Sequence, residues 1–557
     1  MAGIIYQYGG PPFSFGSIDA VEPFAFAIYE SLDPANLGAH EGLGLLLVAS
    51  PYNPDTDTSP TIYPAATHGR STLSTDTPAT TWVPHKLQGD INIGVELFSG
   101  ADPTRKGSQG VGVFQILDPD GELDGLLDLV WDGASIELKR GDPSSPYSEW
   151  TTAAKLTAAG MLGNLQEKEI RLRDIAWKLT TSELHGERYA GTGTIEGDAP
   201  LAGRAKPYCV GYVTNITPVL INATALIYQV SWSSVAAISA VYDGRAALTP
   251  GADYANYALL AAATVGGGTY ATCKALGLFR LGSSPVLDIT ANVTGDADVV
   301  NGTPGPTTRA GVVRRIATGI GSVTLSDSEQ IDFTSFGAFE SQQPAPVGWY
   351  WDQPGSKADA LDEVLAGCLG YWFVGPNGQL SIGLVDDPTA RSADLVLSYP
   401  ATGSGEVRLG EPQMTDWLSP RRGTHIGWGR NYTIQTRSVL AGSVSNADAQ
   451  IYAEPTRYAS VESATIAAKY PASPTVYLAA NYRDEADALA EATRQQNLFS
   501  VARTRWSVPI VMDPLADVVS QITRIENLNR LGWGAAKSFL VCGLDAAGPS
   551  IELKLWG

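Results

Sequence analysis

Basic residues are missing from the start of the chain, where the first is Arg70. A secretory leader needs a positively charged n-region, so no signal peptide is expected. Long apolar runs are missing as well. PFAFAIY (23–29) and LGLLLVA (43–49) fall far short of the roughly 20 apolar residues that cross a bilayer. Cysteine is scarce: Cys209, Cys273, Cys368 and Cys542 lie far apart, with no C-x-x-C pair. That spacing argues against a zinc or iron–sulfur site. It fits four reduced, packed thiols in a chain folded in a reducing cytoplasm. His40, His68, His85, His185 and His425 form no H-E-x-x-H, and no two sit at ligand spacing. G-x-S-x-G and any repeat are also absent. Charged residues are few, 17% against roughly 25% in soluble proteins generally. A surface short of charge is suited to being covered.

What is present points to a folded, acidic, turn-rich chain. Hydrophobic residues make up 44%, which excludes a disordered polymer. The 557 residues correspond to about three to five domains at roughly 100–200 residues each. Gly 59 and Pro 35 favour many turns and a β-rich architecture. The net charge of −21 repels nucleic acid and anionic membranes, and no run of Lys and Arg interrupts it.

Along the chain, residues 1–90 read as an extended arm with short strands, and PYNPDTDTSPTIYP (51–64) reads as a loop. Strands are expected at 91–98, 111–117, 134–140, 168–174, 208–215 and 223–232. Between them, ELDGLLDLVW (122–131) spaces Leu123, Leu126, Leu127 and Val130 as the face of a short helix. Asp243-Gly244 marks a hairpin turn within 237–255. Short helices follow at 256–263 and 307–321, the latter capped by Thr307 or Thr308. The clearest helix is SKADALDEVLAGCLG (356–370). Ser356 and Asp359 form its capping box, Leu361, Val364, Leu365 and Cys368 its core face, and Gly370 its stop. A hairpin around Asn377-Gly378 comes next (371–385). The last third holds a strand at 425–435, a helix within 481–503 with acids near its start, and strands at 504–512, 537–545 and 550–557.

Four stretches invite a functional reading. YAGTGTIEGDAPLAGRAKPYCVGYVTNITPVLIN (189–222) is glycine-rich, with Arg204 and Lys206 downstream. A dinucleotide fingerprint needs G-x-G-x-x-G opening a helix. Gly191, Gly193 and Gly197 give one residue too many, and Pro200, Gly203 and Pro207 follow. A turn-rich crossing between strands is the better reading. DPDGELDG (118–125) spaces Asp118, Asp120, Glu122 and Asp124 like a calcium loop. The position that wants a bidentate Glu is Leu129, so a turn whose Asp120 or Asp124 caps the next helix is favoured. VGWYWDQPG (347–355) is either a sugar-stacking platform or, more often for such clusters, core or interface. Acidic pairs such as Asp386-Asp387 leave open a glycosidase-like pair that only the fold could assemble.

One resemblance runs through these segments. LDGLLDLVWDGASIELKRGDP (123–143), IRLRDIAWKL (170–179) and the 191–222 stretch occur in that order. YDGRAALTPGADYA (242–255), GLFRLGSSP (277–285), RNYTIQ (430–435), the acidic helix and the closing ELKLWG follow. The ordered set, covering roughly 65–557, resembles the baseplate hub proteins of bacteriophage tail tips, as in siphophages and gene-transfer-agent-like particles. Each motif alone is turn chemistry.

The resemblance implies a β-rich α+β, multidomain fold with tube-like β-barrel or sandwich hub domains and small α/β insert domains. The expected division is an N-terminal arm (1–90), a first tube-like β hub domain (91–235) and an α+β insert domain (236–345). A small α/β domain (346–415) and a second β hub domain with one long helix (416–557) complete it. The implied function is structural: a homotrimer joining the six-fold tail tube to the three-fold tip. Its implied partners are the distal tail protein, the tape-measure protein and tip or fibre proteins. Phage DNA would pass through its channel without specific binding. Host-envelope contact is compatible with this role, and stable membrane insertion is not expected. The implied location is the virion tail tip, assembled in the host bacterial cytoplasm. No catalytic, cofactor-binding or metal residue is assigned, no cofactor is expected, and the chain is not read as an enzyme. The alternative is a carbohydrate-active or receptor-binding phage tail protein, such as a polysaccharide depolymerase.

Overall fold

The computed structural model describes residues 44–557 apart from 53–62, 67–69, 72, 77–81, 84–86, 89–92, 143–144, 185, 298, 301–302, 322, 400–408, 512–516 and 548–549. Most of the expected arm (1–43), most of the 51–64 loop, and His40, His68, His85 and His185 lie outside the described residues. The architecture is strand-rich and multidomain, with several separate hydrophobic cores.

The first sheet has seven antiparallel strands. Their spatial order is Tyr63–Ala66, Gly44–Tyr52, Val130–Gly141, Thr151–Gly163, Glu167–Arg173, Val113–Leu117 and Leu87–Gln88. Alternation sets its core face: Ile136 and Leu138, Ile170 and Leu172, and Phe114 and Ile116 all turn inward. Two five-stranded sheets follow. One contains Tyr208–Ile216, Val235–Asp243 and Ile289–Gly295, and the other Ile227–Gln229, Thr269–Cys273 and Leu278–Leu281. They share a core that includes Val213, Val293, Tyr228 and Phe279, so they pack as a sandwich.

The central unit joins helices Arg309–Gly319, Phe333–Gln342 and Lys357–Ala366 to the hairpin Gly370–Val374/Leu380–Leu384. Against them lies a three-stranded sheet in the order Arg457–Glu462, Gly423–Trp428, Thr475–Tyr482, backed by helix Glu485–Leu498. The last sheet runs Leu395–Ser398, Ile522–Glu526, Ala536–Ala547, Ser550–Trp556, Arg503–Ile510, Gln413–Leu418. Ala536–Ala547 also pairs with Ile93–Phe98, which pairs in turn with Lys106–Val111. A hairpin from early in the sequence is thus part of the C-terminal sheet.

Several expected elements sit differently. The 122–131 helix is a single 3-10 turn, Asp124–Asp128. Leu123 and Leu126 are buried, but Leu127 and Val130 are exposed. Trp131 Nε1 donates to the Leu126 carbonyl at 2.7 Å, and Val130 already opens a long strand. Pairing of that strand outbids one more turn of helix. At 243–246, Asp243 pairs with Ala246, so the turn residues are Gly244 and Arg245 (φ +54° and +71°). Asp243 is spent elsewhere: its carboxylate accepts the Val286 and Leu287 amides at 2.8 and 2.7 Å. Arg245 is held in its left-handed conformation by its ring contacts with Tyr242 and Tyr452. Helix 357–366 begins as expected, with Ser356 Oγ accepting the Asp359 amide at 3.1 Å. It ends at Ala366, and Leu369 (φ +58°) makes the reversal while Gly370 opens the next strand. Of 223–232 only Ile227–Gln229 is strand, and the 425–435 strand stops at Trp428, before Gly429 (φ +56°).

Two lysines clasp one loop under the central helices. Lys357 Nζ donates to the Val323 carbonyl, and Lys178 Nζ to Gln330 Oε1 at 3.2 Å. Lys357 is fully buried. Burial, with the Lys178 ammonium nearby, pulls its pKa down to about 8. Between pH 8 and 10.5 the unfolded chain therefore holds a proton that the folded chain has lost, so this site gains stability as pH rises through that window. Lys357→Met is expected to raise the melting temperature at pH 7, by no more than about 3 kcal/mol of stability. Thermal melts of both proteins should converge near pH 10. A gap that stays constant from pH 7 to 10 would contradict the assignment.

Candidate functional site

The glycine-rich stretch folds as turns. Thr194–Glu196 and Ala199–Leu201 are single 3-10 turns, and Gly193 (φ +90°) adopts a conformation costly for any side chain. Lys206, whose charge a phosphate would need, donates to Glu196 Oε1 at 2.8 Å. That bond leads the effects that hold the Glu196 carboxyl below its usual range. The segment leads into strands Tyr208–Ile216 and Val219–Asn222, as a crossing should.

The 118–125 loop encloses a cation that the chain itself supplies. Lys168 lies on the inward face of its strand, in line with Ile170 and Leu172, and is fully buried. Its Nζ is 2.9 Å from Asp118 and 2.7 Å from Asp124, and it donates to the Asn164 carbonyl at 3.0 Å. Burial lowers the ammonium's pKa, but the two carboxylates outweigh it and the net shift is upward. The expected cap is not made by Asp120 or Asp124. Asp118 Oδ1 instead accepts the Leu123 amide at 3.1 Å, because the loop folds back over the sheet. A lysine head stands where a metal would be sought. Among the described residues, no group of three or more His, Cys, Asp or Glu is placed to hold a metal ion.

Residues 347–350 of the 347–355 cluster are core, Trp351 is half-buried, and Gln353 and Pro354 are exposed. Gly348–Trp351 pairs with Tyr208–Gly211, Trp349 is fully buried, and its indole donates to Glu363 at 3.0 Å. Trp349 and Trp351 stack on each other with centroids 5.3 Å apart. The four cysteines are buried and unpaired, and burial pushes Cys542 up to about 12.

Two arrangements were invisible in the sequence. The first is a cavity of about 460 Å³ between helix Phe333–Gln342, the hairpin 370–384 and the C-terminal sheet. It brings together Asp332, Asp386, Asp394 and Asp517, with Tyr371 and Phe373 in its wall. Three of these acids already have structural work. Asp332 accepts the Thr334 and Ser335 amides and the Ser381 hydroxyl, Asp394 the Ile522 amide, and Asp386 the Asp387 amide. Asp517 differs: its side chain is exposed at the rim, and partial desolvation, then the charge of Asp332, raises its pKa. The second joins His425, Ser460 and Glu462 on one sheet face. Ser460 Oγ lies 2.6 Å from His425 Nδ1, and Glu462 Oε1 lies 3.3 Å from Nε2. Cross-strand register, not sequence spacing, makes this group: Ser460 sits opposite His425.

The C-terminal sheet also ends in two strands with one side free. No strand of the described residues pairs with the outer side of Gln413–Leu418 or of Leu395–Ser398. Met414 and Trp417 on the first, and Val396 on the second, are all more than half exposed.

No family model and no curated relative matches the sequence. A comparison with solved structures matches the chain to bacteriophage tail proteins. One is the tail protein from Neisseria meningitidis (11% identity, 92% of this chain, 96% of that chain, TM-score 0.34). A prophage tail protein from Listeria monocytogenes matches at 8% identity over 84% of this chain and 94% of that one, with TM-score 0.24. A chain of the p2 virion baseplate in its activated conformation matches at 7% identity over 92% and 98%, with TM-score 0.20.

The internal cation can be tested directly. Lys168→Met leaves Asp118 buried without its counter-charge, and removing one partner of a buried pair typically costs about 3–5 kcal/mol. Chemical denaturation should show a loss of that size. A loss under about 1 kcal/mol would mean that the pair is not holding the loop down.

Proposed function

We propose that the chain is a structural hub of a bacteriophage tail tip, forming a homotrimer that joins the six-fold tube to the three-fold tip. The observation that carries this reading is the open C-terminal sheet. Exposed edge strands with apolar side chains are an aggregation hazard unless something covers them. In a head-to-tail ring, Gln413–Leu418 of one copy meets Leu395–Ser398 of the next, and rotation closes the ring. The five-part division of the chain belongs to this proposal. So do the distal tail, tape-measure and tip or fibre partners, and a channel through which DNA passes unbound. The charge of −21 suits such a channel, because basic walls would hold phosphates by releasing their counterions. Native mass spectrometry should find three copies, with obligate interfaces of roughly 2,000 Å² or more. Met414→Asp with Trp417→Asp is expected to shift the assembly towards monomer without lowering the monomer's melting temperature. A parent protein that stays monomeric both alone and within particles would end the hub reading.

Polysaccharide cleavage is the second reading, and the acidic cavity is the observation that favours it. A glycosidase splits its roles between a carboxyl with raised pKa and an ionised one. Asp517 has the raised pKa that an acid of this kind needs, but its neighbour Asp332 already accepts three hydrogen bonds. Incubation with host polysaccharide is expected to release no soluble fragments. Fragment release that Asp517→Asn abolishes would replace the hub with a depolymerase.

A further inference from the structure

The three-stranded sheet of the central unit has one face against helix Glu485–Leu498 and one face open. Ile426, Ala459 and Ala480 turn inward towards Ala488 and Ala492. Alternation then sends His425, Tyr458, Ser460, Glu462 and Tyr477 to the other side. A solvated face normally carries polar side chains, yet here Tyr477 is 59% and Tyr458 40% exposed.

These side chains are fixed rather than splayed. The Tyr477 ring stacks on His425 at 4.3 Å, and the imidazole is pinned through Ser460. Tyr458 stands at 89° to Tyr477 with centroids 5.3 Å apart, so the two rings form a corner. The Glu462 carboxylate, 68% exposed, lies beyond the imidazole. On the central strand, Gly427 faces Tyr458 and Gly423 faces Glu462, with the Thr475 side chain on the other flank of Gly423. Ring faces at right angles with a nearby carboxylate suit a cation, which is drawn to the π-faces and to the negative charge.

The backbone next to this corner is also available. Arg457–Glu462 is the edge strand, and no strand of the described residues pairs with its outer side. An extended segment adding there would present alternate side chains on the same face as Tyr458, Ser460 and Glu462. The chain's own first 43 residues cannot supply a Lys or Arg side chain. They contain Asp19, Glu22, Glu30, Asp33 and Glu41 but no Lys or Arg.

We propose that this edge and face dock an extended basic segment of a partner protein. The segment adds as a strand along Arg457–Glu462 and lays a Lys or Arg side chain in the corner of Tyr458 and Tyr477, beside Glu462. This surface is separate from the open C-terminal sheet and does not depend on the hub reading.

Fluorescence anisotropy on the full chain tests it, using a labelled peptide of alternating Arg and Thr and a matched Glu/Thr peptide. The basic peptide should bind, weaken with added salt, and lose about three- to tenfold in affinity on Tyr477→Ala. Glu462→Gln should lose less, and Tyr477→Phe, which keeps the ring, should bind like the parent. Equal binding of the acidic peptide, or Tyr477→Ala binding like the parent, would overturn the proposal. So would a change in sedimentation of the Tyr477→Ala, Glu462→Gln double variant without peptide, since that would assign the face to a second copy of this chain.

Discussion

The fold depends on one long-range docking. The hairpin Ile93–Phe98/Lys106–Val111 adds to Ala536–Ala547, more than 400 residues later in the chain. Glu96 lies between Arg505 and Lys554, Arg505 donates to the Phe98 and Gly100 carbonyls, and Trp556 Nε1 donates to the Ala101 carbonyl at 2.8 Å. Phe98 meets Trp556 edge to face in the same core. The segments between these partners form four of the seven strands of the first sheet, the sandwich and the central unit. They are therefore held as one large closed loop. Loop closure costs entropy that grows only slowly with length, so a compact cluster of charge pairs and aromatic contacts suffices to hold it. Non-local pairing of this kind is slow to form.

A second interior network ties the central helices to the three-stranded sheet. Tyr482 donates to Gln343 at 2.8 Å, Gln343 to Glu491 at 3.0 Å, and Arg494 and Gln495 also reach Glu491. The buried Arg309 guanidinium lies over the Tyr482 ring at 4.3 Å. The pairing among these buried polar groups fixes one arrangement of the helices.

Local chemistry was readable in the sequence, and long-range chemistry was not. The capping box at Ser356, the core face of Leu361, Val364 and Leu365, the cap at Thr308 and the turn before Gly378 (φ +74°) all depend on neighbours within a few residues. The turn at Gly244 moved by one residue because Asp243 answers to Val286 and Leu287, more than 40 residues away. Lys168 opens the expected 168–174 strand, and partners distant in sequence decide that it faces inward. Nothing in the spacing of Asp332, Asp394 and Asp517 announces that they share a cavity, nor that Ser460 meets His425. The 347–355 cluster carried both a core and a sugar reading, and strand pairing with 208–211 places 347–350 in the core.

The ammonium of Lys168 makes the 118–125 turn self-sufficient. A loop that borrows calcium is only as stable as the surrounding supply, and it softens whenever that supply is withdrawn. Here the counter-charge is encoded in the gene and arrives with every copy of the chain. Lys168 thus brings to Asp118 and Asp124 a counter-charge that is part of the chain itself.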